Sequence, residues 1–162
     1  MIDDLSSRAA LTVAAFLLLA TGLSVISLSG GSAMIESTRE LARYVARELD
    51  AIGRLDAEVT ARFGPGEGAG VRLPAQIGGH PYRLEVRATD VRVIAEAILA
   101  AEPLQVRVHP FAPDRTAYSD TELREIDGEF VLAVPSSGSF QVIRTALLVD
   151  GRSLFLTFAS AD

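Results

Sequence analysis

Cysteine is absent from the 162 residues, which removes disulfides, thiolate zinc sites, iron–sulfur clusters and cysteine nucleophiles from the chemistry open to this chain. It leaves the redox compartment undetermined. Lysine and asparagine are missing as well, so all 15 basic residues are arginines. Both missing residues have codons beginning AA, and their joint loss points to a GC-rich genome more than to a physical demand. Without asparagine there is no Asn-X-Ser/Thr acceptor for N-glycosylation. Positive charge is scarce too: 21 acidic residues give a net charge of −6. Nucleic-acid binders need clustered cations to release counterions from the phosphate backbone, so nucleic acid is not an expected partner.

Residues that carry chemistry are few and scattered. His80 and His109 are the only 2 histidines, and each precedes a proline. A catalytic pair or a metal site needs them to converge with a carboxylate, and nothing local supplies one. The strand pattern described below puts His109 on a polar face and His80 in a turn, so both read as solvated. Asp114, Asp120 and Glu122 could offer oxygens to calcium, but their spacing lacks the alternating ligands and fixed glycine of an EF-hand. Ser136, Ser137 and Ser139 flank a glycine without forming a Gly-X-Ser-X-Gly elbow. The glycines between residues 64 and 70 have no lysine to complete a phosphate-binding loop. The expectation is a non-catalytic protein without metal or cofactor.

What the sequence does have is an apolar run. From Ala9 to Ser29 there is no charged residue. About twenty such residues in a helix cross the roughly 30 Å hydrocarbon layer of a bilayer. Within lipid every backbone polar group must be satisfied inside the segment, which demands a helix. Three readings of this end remain open. It is a signal anchor, or a secretory signal peptide cut near Gly31-Ser32-Ala33, although its apolar region is longer than the roughly 7–15 residues usual there. The third reading turns on the residues around the start of the run, Arg8, Ala9 and Ala10, and on the resemblance given below. A literal count of flanking arginines favours a cytoplasmic C-terminal part. Arg8 abuts the run, however, while Arg39, Arg43 and Arg47 are diluted by Glu36, Glu40 and Glu48, and the polar spacer and β-rich remainder suit an exported domain. The expected location is the cell membrane, single-pass, with the C-terminal domain extracytoplasmic.

The rest divides by periodicity. Met34, Leu41, Val45, Leu49 and Ile52 recur at helical spacing and mark one face of an amphipathic stalk. That face either packs on the following domain or serves as an assembly surface between copies. Gly53 is one plausible stop, although Leu55, Val59 and Phe63 extend the pattern, and the stalk is taken as 33–63. The glycine- and proline-rich stretch 64–70 reads as a flexible hinge. Beyond it the period becomes two. Residues 71–77 and 82–88 read as a hairpin around Gly78-Gly79. Further strands are expected over 91–97 and 104–109, with 93–101 leaning to strand, and Phe130 to Val134 is a candidate central strand. One helical turn is expected over 120–126, ending before Asp127-Gly128. Phe140 to Val149, Asp150-Gly151 and Arg152 to Ala159 form a type I′ hairpin. The fold class is therefore α+β: a transmembrane helix (10–32, after a possible leader 1–9), the stalk, the hinge, and a mostly antiparallel β domain (71–162) of small-sandwich or open-barrel type.

Ser7-Arg8-Ala9-Ala10-Leu11 resembles the processing site of archaeal class III, prepilin-type signal peptides, which implies cleavage between Ala9 and Ala10. The stretch from Leu73-Pro74 through Ile77-Gly78-Gly79 to Tyr82 is similar to a hairpin of uncharacterised, membrane-anchored, pilin-like proteins of archaea. The order of parts resembles a type IV pilin. That resemblance implies a structural or minor subunit of a pilus-like assembly, with lipid, copies of itself or other pilin-like subunits as partners. The alternative is a monomeric tethered binding module or stator-like accessory whose β domain contacts an envelope protein.

Overall fold

The computed structural model describes residues 31–162. The apolar run and the processing residues Arg8, Ala9 and Ala10 lie outside the described residues. Among the described residues no helix is long and apolar enough to cross a membrane.

The first described element is helix α1, Gly31–Gly53. Leu41, Val45, Leu49 and Ile52 are buried along its inner face, joined by Ala42 and Ala46, while Met34 packs at the margin of the same core. The small alanines let the backbone approach the sheet closely, and the four larger side chains fill the space between. The helix ends at Gly53, where a Cβ would lie 2.3 Å from the Val106 side chain, so this close approach favours glycine. Its last turn tightens through Arg54 N–H to Ala51 O and Leu55 N–H to Ile52 O. The stalk expected over 33–63 is thus cut short. Residues Val59–Gly64 form strand β1, where Val59, Ala61 and Phe63 turn inward while Thr60 and Arg62 turn outward. That alternation of two overrides the weaker helical spacing.

Beyond β1 the chain is mostly antiparallel sheet, giving an α+β fold. A four-stranded antiparallel sheet runs β5-β4-β3-β8, from β3 (Arg83–Val86), β4 (Asp90–Ala95), β5 (Ile98–Pro103) and β8 (Leu132–Pro135). Register places Leu84 opposite Val93 and Val134, and Val93 opposite Ala100, so one apolar face is continuous across all four strands and meets α1. The second sheet runs β2-β1-β9-β10-β6, from β2 (Val71–Arg72), β1, β9 (Phe140–Val149), β10 (Arg152–Ala161) and β6 (Val108–His109), with β7 (Ala117–Tyr118) added on the free half of β9. Phe63 stacks on Phe140 at 4.7 Å between ring centroids, and with Val142 and Ala159 they complete the main core.

Several strand expectations are corrected. Gly78 and Gly79 do make a tight turn with φ of 57° and 83°, closed by paired hydrogen bonds between Ile77 and His80. The strands beside it do not pair with each other: β2 lies parallel to β1, and β3 lies between β4 and β8. Pro74 and Pro81 remove donors from the ladder that a longer hairpin would need. Residues 104–107 are not strand, because the Asp50 carboxylate accepts from the Gln105 and Val106 N–H groups. Residues 130–134 do not form a central strand. Phe130 and Val131 are exposed, and β8 stands at the edge of its sheet. The single turn expected at 120–126 is helix α2, Asp120–Glu129, opened by a Ser119/Glu122 capping box that nucleates it firmly enough to carry on through Gly128.

Truncating the buried side chain in Leu49→Ala should lower the unfolding free energy by about 2–5 kcal/mol, read by urea denaturation of the full chain in detergent. The exposed Arg43→Ala should stay within about 0.5 kcal/mol of the parent.

Candidate functional site

The residues singled out in the sequence fall in different places. Leu41, Val45, Leu49 and Ile52 are inside the core of the described domain, with Met34 partly buried against it, so this face is occupied by the chain's own sheets. Asp114, Asp120 and Glu122 do not converge. Asp114 accepts the Tyr118 hydroxyl, Asp120 pairs with Arg124, and Glu122 closes the helix cap while meeting Arg115 at 3.2 Å. Hydrogen bonds to Tyr118 and to the Ser119 backbone hold Asp114 and Glu122 below their usual carboxylate ranges. Among the described residues no cluster of three metal-ligating side chains exists. Ser139 donates to Asp162, which Arg62 also holds at 2.7 Å, and His80 pairs with Glu96 on the surface at 2.6 Å.

His109 departs most from its reading as solvated surface. It is only 3% exposed, with Nδ1 2.8 Å from Asp127 Oδ1. A carboxylate only accepts, so the hydrogen sits on Nδ1. Arg107 donates to the other Asp127 oxygen at 3.0 Å. The imidazole lies against Phe158 and Phe111, with centroids 5.1 and 6.0 Å away. These rings belong to a second, smaller core of Tyr118, Leu123, Leu147, Val149 and Phe158 under α2. Of the polar face expected over 104–109, Gln105 and Arg107 remain exposed, and only His109 is covered, where Asp127 of α2 meets it. No local signal in the sequence linked His109 to Asp127, which is 18 residues away. Among the described residues no hydroxyl is hydrogen-bonded to the imidazole, so the pair has no nucleophile to activate. Its geometry fastens α2 to β6.

A second buried charged group sits on α1. Glu48 is enclosed one helical turn from Tyr44. Desolvation pushes the Glu48 carboxyl up, against the lowering effect of Arg47. Burial, with Glu48 beside it, pushes the Tyr44 hydroxyl up to about 12. Buried Arg144 donates to the Leu55 carbonyl and to Thr157 Oγ1, joining the C-terminal end of α1 to the second sheet. Desolvation holds its guanidinium below the usual arginine range.

A concave surface lies at the opposite end of α1. Ile35 and Arg39 from the helix, with Ile98 to Glu102 from β5, enclose about 270 Å³. Strand β5 is the edge of its sheet. Ala95 opposite Ile98 closes the β4–β5 turn, so the backbone groups of Leu99 and Ala101 point away from β4 into this groove.

Two outcomes follow. In a double-mutant cycle, His109→Ala and Asp127→Ala should be non-additive by about 0.5–3 kcal/mol in urea unfolding, as befits one shared contact. Glu48→Gln should raise the melting temperature at pH 7. A carboxyl whose folded-state pKa is raised stabilises most below its unfolded value of about 4.3 and loses that stability as pH rises, so the advantage of glutamine should vanish near pH 4. Comparison with known proteins adds no relative to this geometry: no family model, curated protein or solved structure matches the chain.

Proposed function

We propose that this chain is a non-catalytic, pilin-like membrane-anchored surface protein, a structural or minor component of a type IV pilus-like assembly, with its β domain outside the cell. The observation that carries the reading is one of succession. The uncharged run ends at Ser29 in the sequence, and the described residues open with helix α1 at Gly31. A helix that follows the run in sequence, with antiparallel sheets after it, is in keeping with the order of parts in the type IV pilin resemblance. The Arg8-Ala9-Ala10 processing site belongs to the same reading. No enzyme role is proposed, since the His109–Asp127 pair serves packing.

A second reading, a monomeric membrane-tethered binding module or stator-like accessory that contacts an envelope protein, is favoured by one specific observation. The helix stripe that a filament would use is enclosed in the subunit's own core. Assembly would then have to rely on the apolar run and the outer face of α1.

Membrane fractions of expressing cells test the proposal. The protein should resist alkaline carbonate, dissolve in detergent, and yield an N-terminus at Ala10. Full-length protein in the soluble fraction without detergent overturns the anchor. Sheared surface filaments containing the chain support the pilin-like form, and a monomer in detergent with none at the surface supports the tethered module.

A further inference from the structure

Strand β5 borders its sheet for 6 residues, with no bulge in its register against β4. The opposite border, β8, has 4 residues and ends on Pro135. An edge with no proline before its last position, in a chain without lysine, is a template for another strand. Among the described residues nothing pairs with it. Its free peptide groups are those of Leu99 and Ala101, which stand symmetrically on either side of Ala100.

That symmetry singles out the strand that fits. A second β5, turned about a two-fold axis through Ala100, sets each Leu99 opposite the other copy's Ala101, and each such pair exchanges both N–H···O=C bonds. We propose that two copies of this chain pair antiparallel along β5, joining their four-stranded sheets into one. The side chains agree with this register. Leu99, 59% exposed, comes to lie beside the small Ala101 on the outer face, and Ala100 meets Ala100 on the groove side. Glu102 lines the groove and makes no ion pair among the described residues, while Arg39, which also lines it, is held by Glu36 at 3.0 Å. Pairing places Glu102 opposite Ile98, at the Arg39 of the other copy. Helix α1 runs in the direction of β5, since Ile35 and Arg39 flank residues 98–102 and Asp50 meets Gln105 and Val106. The two helices therefore lie antiparallel over the joined sheet.

This goes beyond the pilin-like reading and does not rest on it, because the contact closes on itself rather than propagating. Two chains inserted alike in one bilayer share a two-fold axis only along its normal. Here the axis is normal to the sheet, so an anchored pair lies with its joined sheet along the membrane.

The chain contains no cysteine, so a single introduced thiol reports one contact. Across the axis Ala100 faces its counterpart as a non-hydrogen-bonded pair, with Cα atoms about 4.5 Å apart, within the roughly 4.4–6.8 Å that a disulfide spans. Full-length Ala100→Cys in detergent, mildly oxidised, should run mostly as a reducible dimer. Leu154→Cys, on the other sheet, should cross-link several-fold less. Adding Ala101→Pro to Ala100→Cys removes a free N–H but no bond to β4, and should cut the dimer several-fold while the urea unfolding transition is retained. Should that variant unfold early, Glu102→Arg sets like charges against Arg39 and should cut the dimer in the same way. Equal cross-linking at positions 100 and 154 overturns the pairing. A thiol at position 100 that stays free also overturns it, whether the chain is monomeric, assembled through another face or held along β5 by a different protein. Loss of the parent chain from carbonate-washed membranes overturns the anchored reading and leaves the pairing standing.

Discussion

The burial of one face of α1 against the two sheets is the interaction on which everything else in the domain depends. Neither sheet could hide its apolar face alone. Leu84, Val86, Val91 and Val93 of the four-stranded sheet, and Phe63, Phe140 and Val142 of the six-stranded one, enter one core that the helix completes. Thr38 is buried within that interface, and its hydroxyl returns a hydrogen bond to the Met34 carbonyl at 2.7 Å, so a polar side chain is accommodated without an orphaned donor. Asp50 and Arg144 then fasten the far end of the helix to the segment after β5 and to β9. The helix is thereby a structural member of the domain rather than a free stalk, and whatever positions its first turn positions the whole domain.

The β9–β10 hairpin carries the second organising constraint. Its ten residue pairs form one uninterrupted ladder, yet its faces serve different cores. Near its root, Phe140, Val142 and Ala159 face the helix and main core. Nearer the tip, Leu147 and Val149 sit on the opposite face, under α2, and Phe158, which pairs with Ile143 closer to the root, shares that face. His109 and Asp127 belong to this second region, pinning α2 to the strand that runs beside β10. Polar contacts therefore concentrate where the apolar area is smallest, and the large core needs few of them.

Much of this was legible in sequence because it is local. The stripe from Met34 to Ile52 follows from helical spacing, and the Gly78-Gly79 and Asp150-Gly151 turns from the positive φ they supply, whereas the strand expected over 91–97 is broken by a turn at Glu96 into the β4–β5 pair. What failed was non-local. Phe63 reads as the last helical contact of the stalk, and its stack on Phe140 and pairing within β1 make it a buried strand residue instead. His109 reads as solvent-facing because alternation assigns it a face, whereas the covering helix comes from residues 120–129. Phe130 and Val131 read as central strand by hydrophobicity alone, but both stay exposed, with only the Phe111 ring beside Phe130 at 6.3 Å between centroids. The groove beside β5 was invisible for the same reason, since Ile35 and Leu99 lie far apart in the chain.

One ladder serving two cores of unequal size has a consequence for how the molecule breathes. Opening the tip exposes only the minor cluster beneath α2, whereas opening the root requires the helix to leave both sheets. Amide protons along β9 should therefore exchange with solvent in a graded order, fastest around Val149 and slowest around Val142, although hydrogen bonds of the same kind hold both.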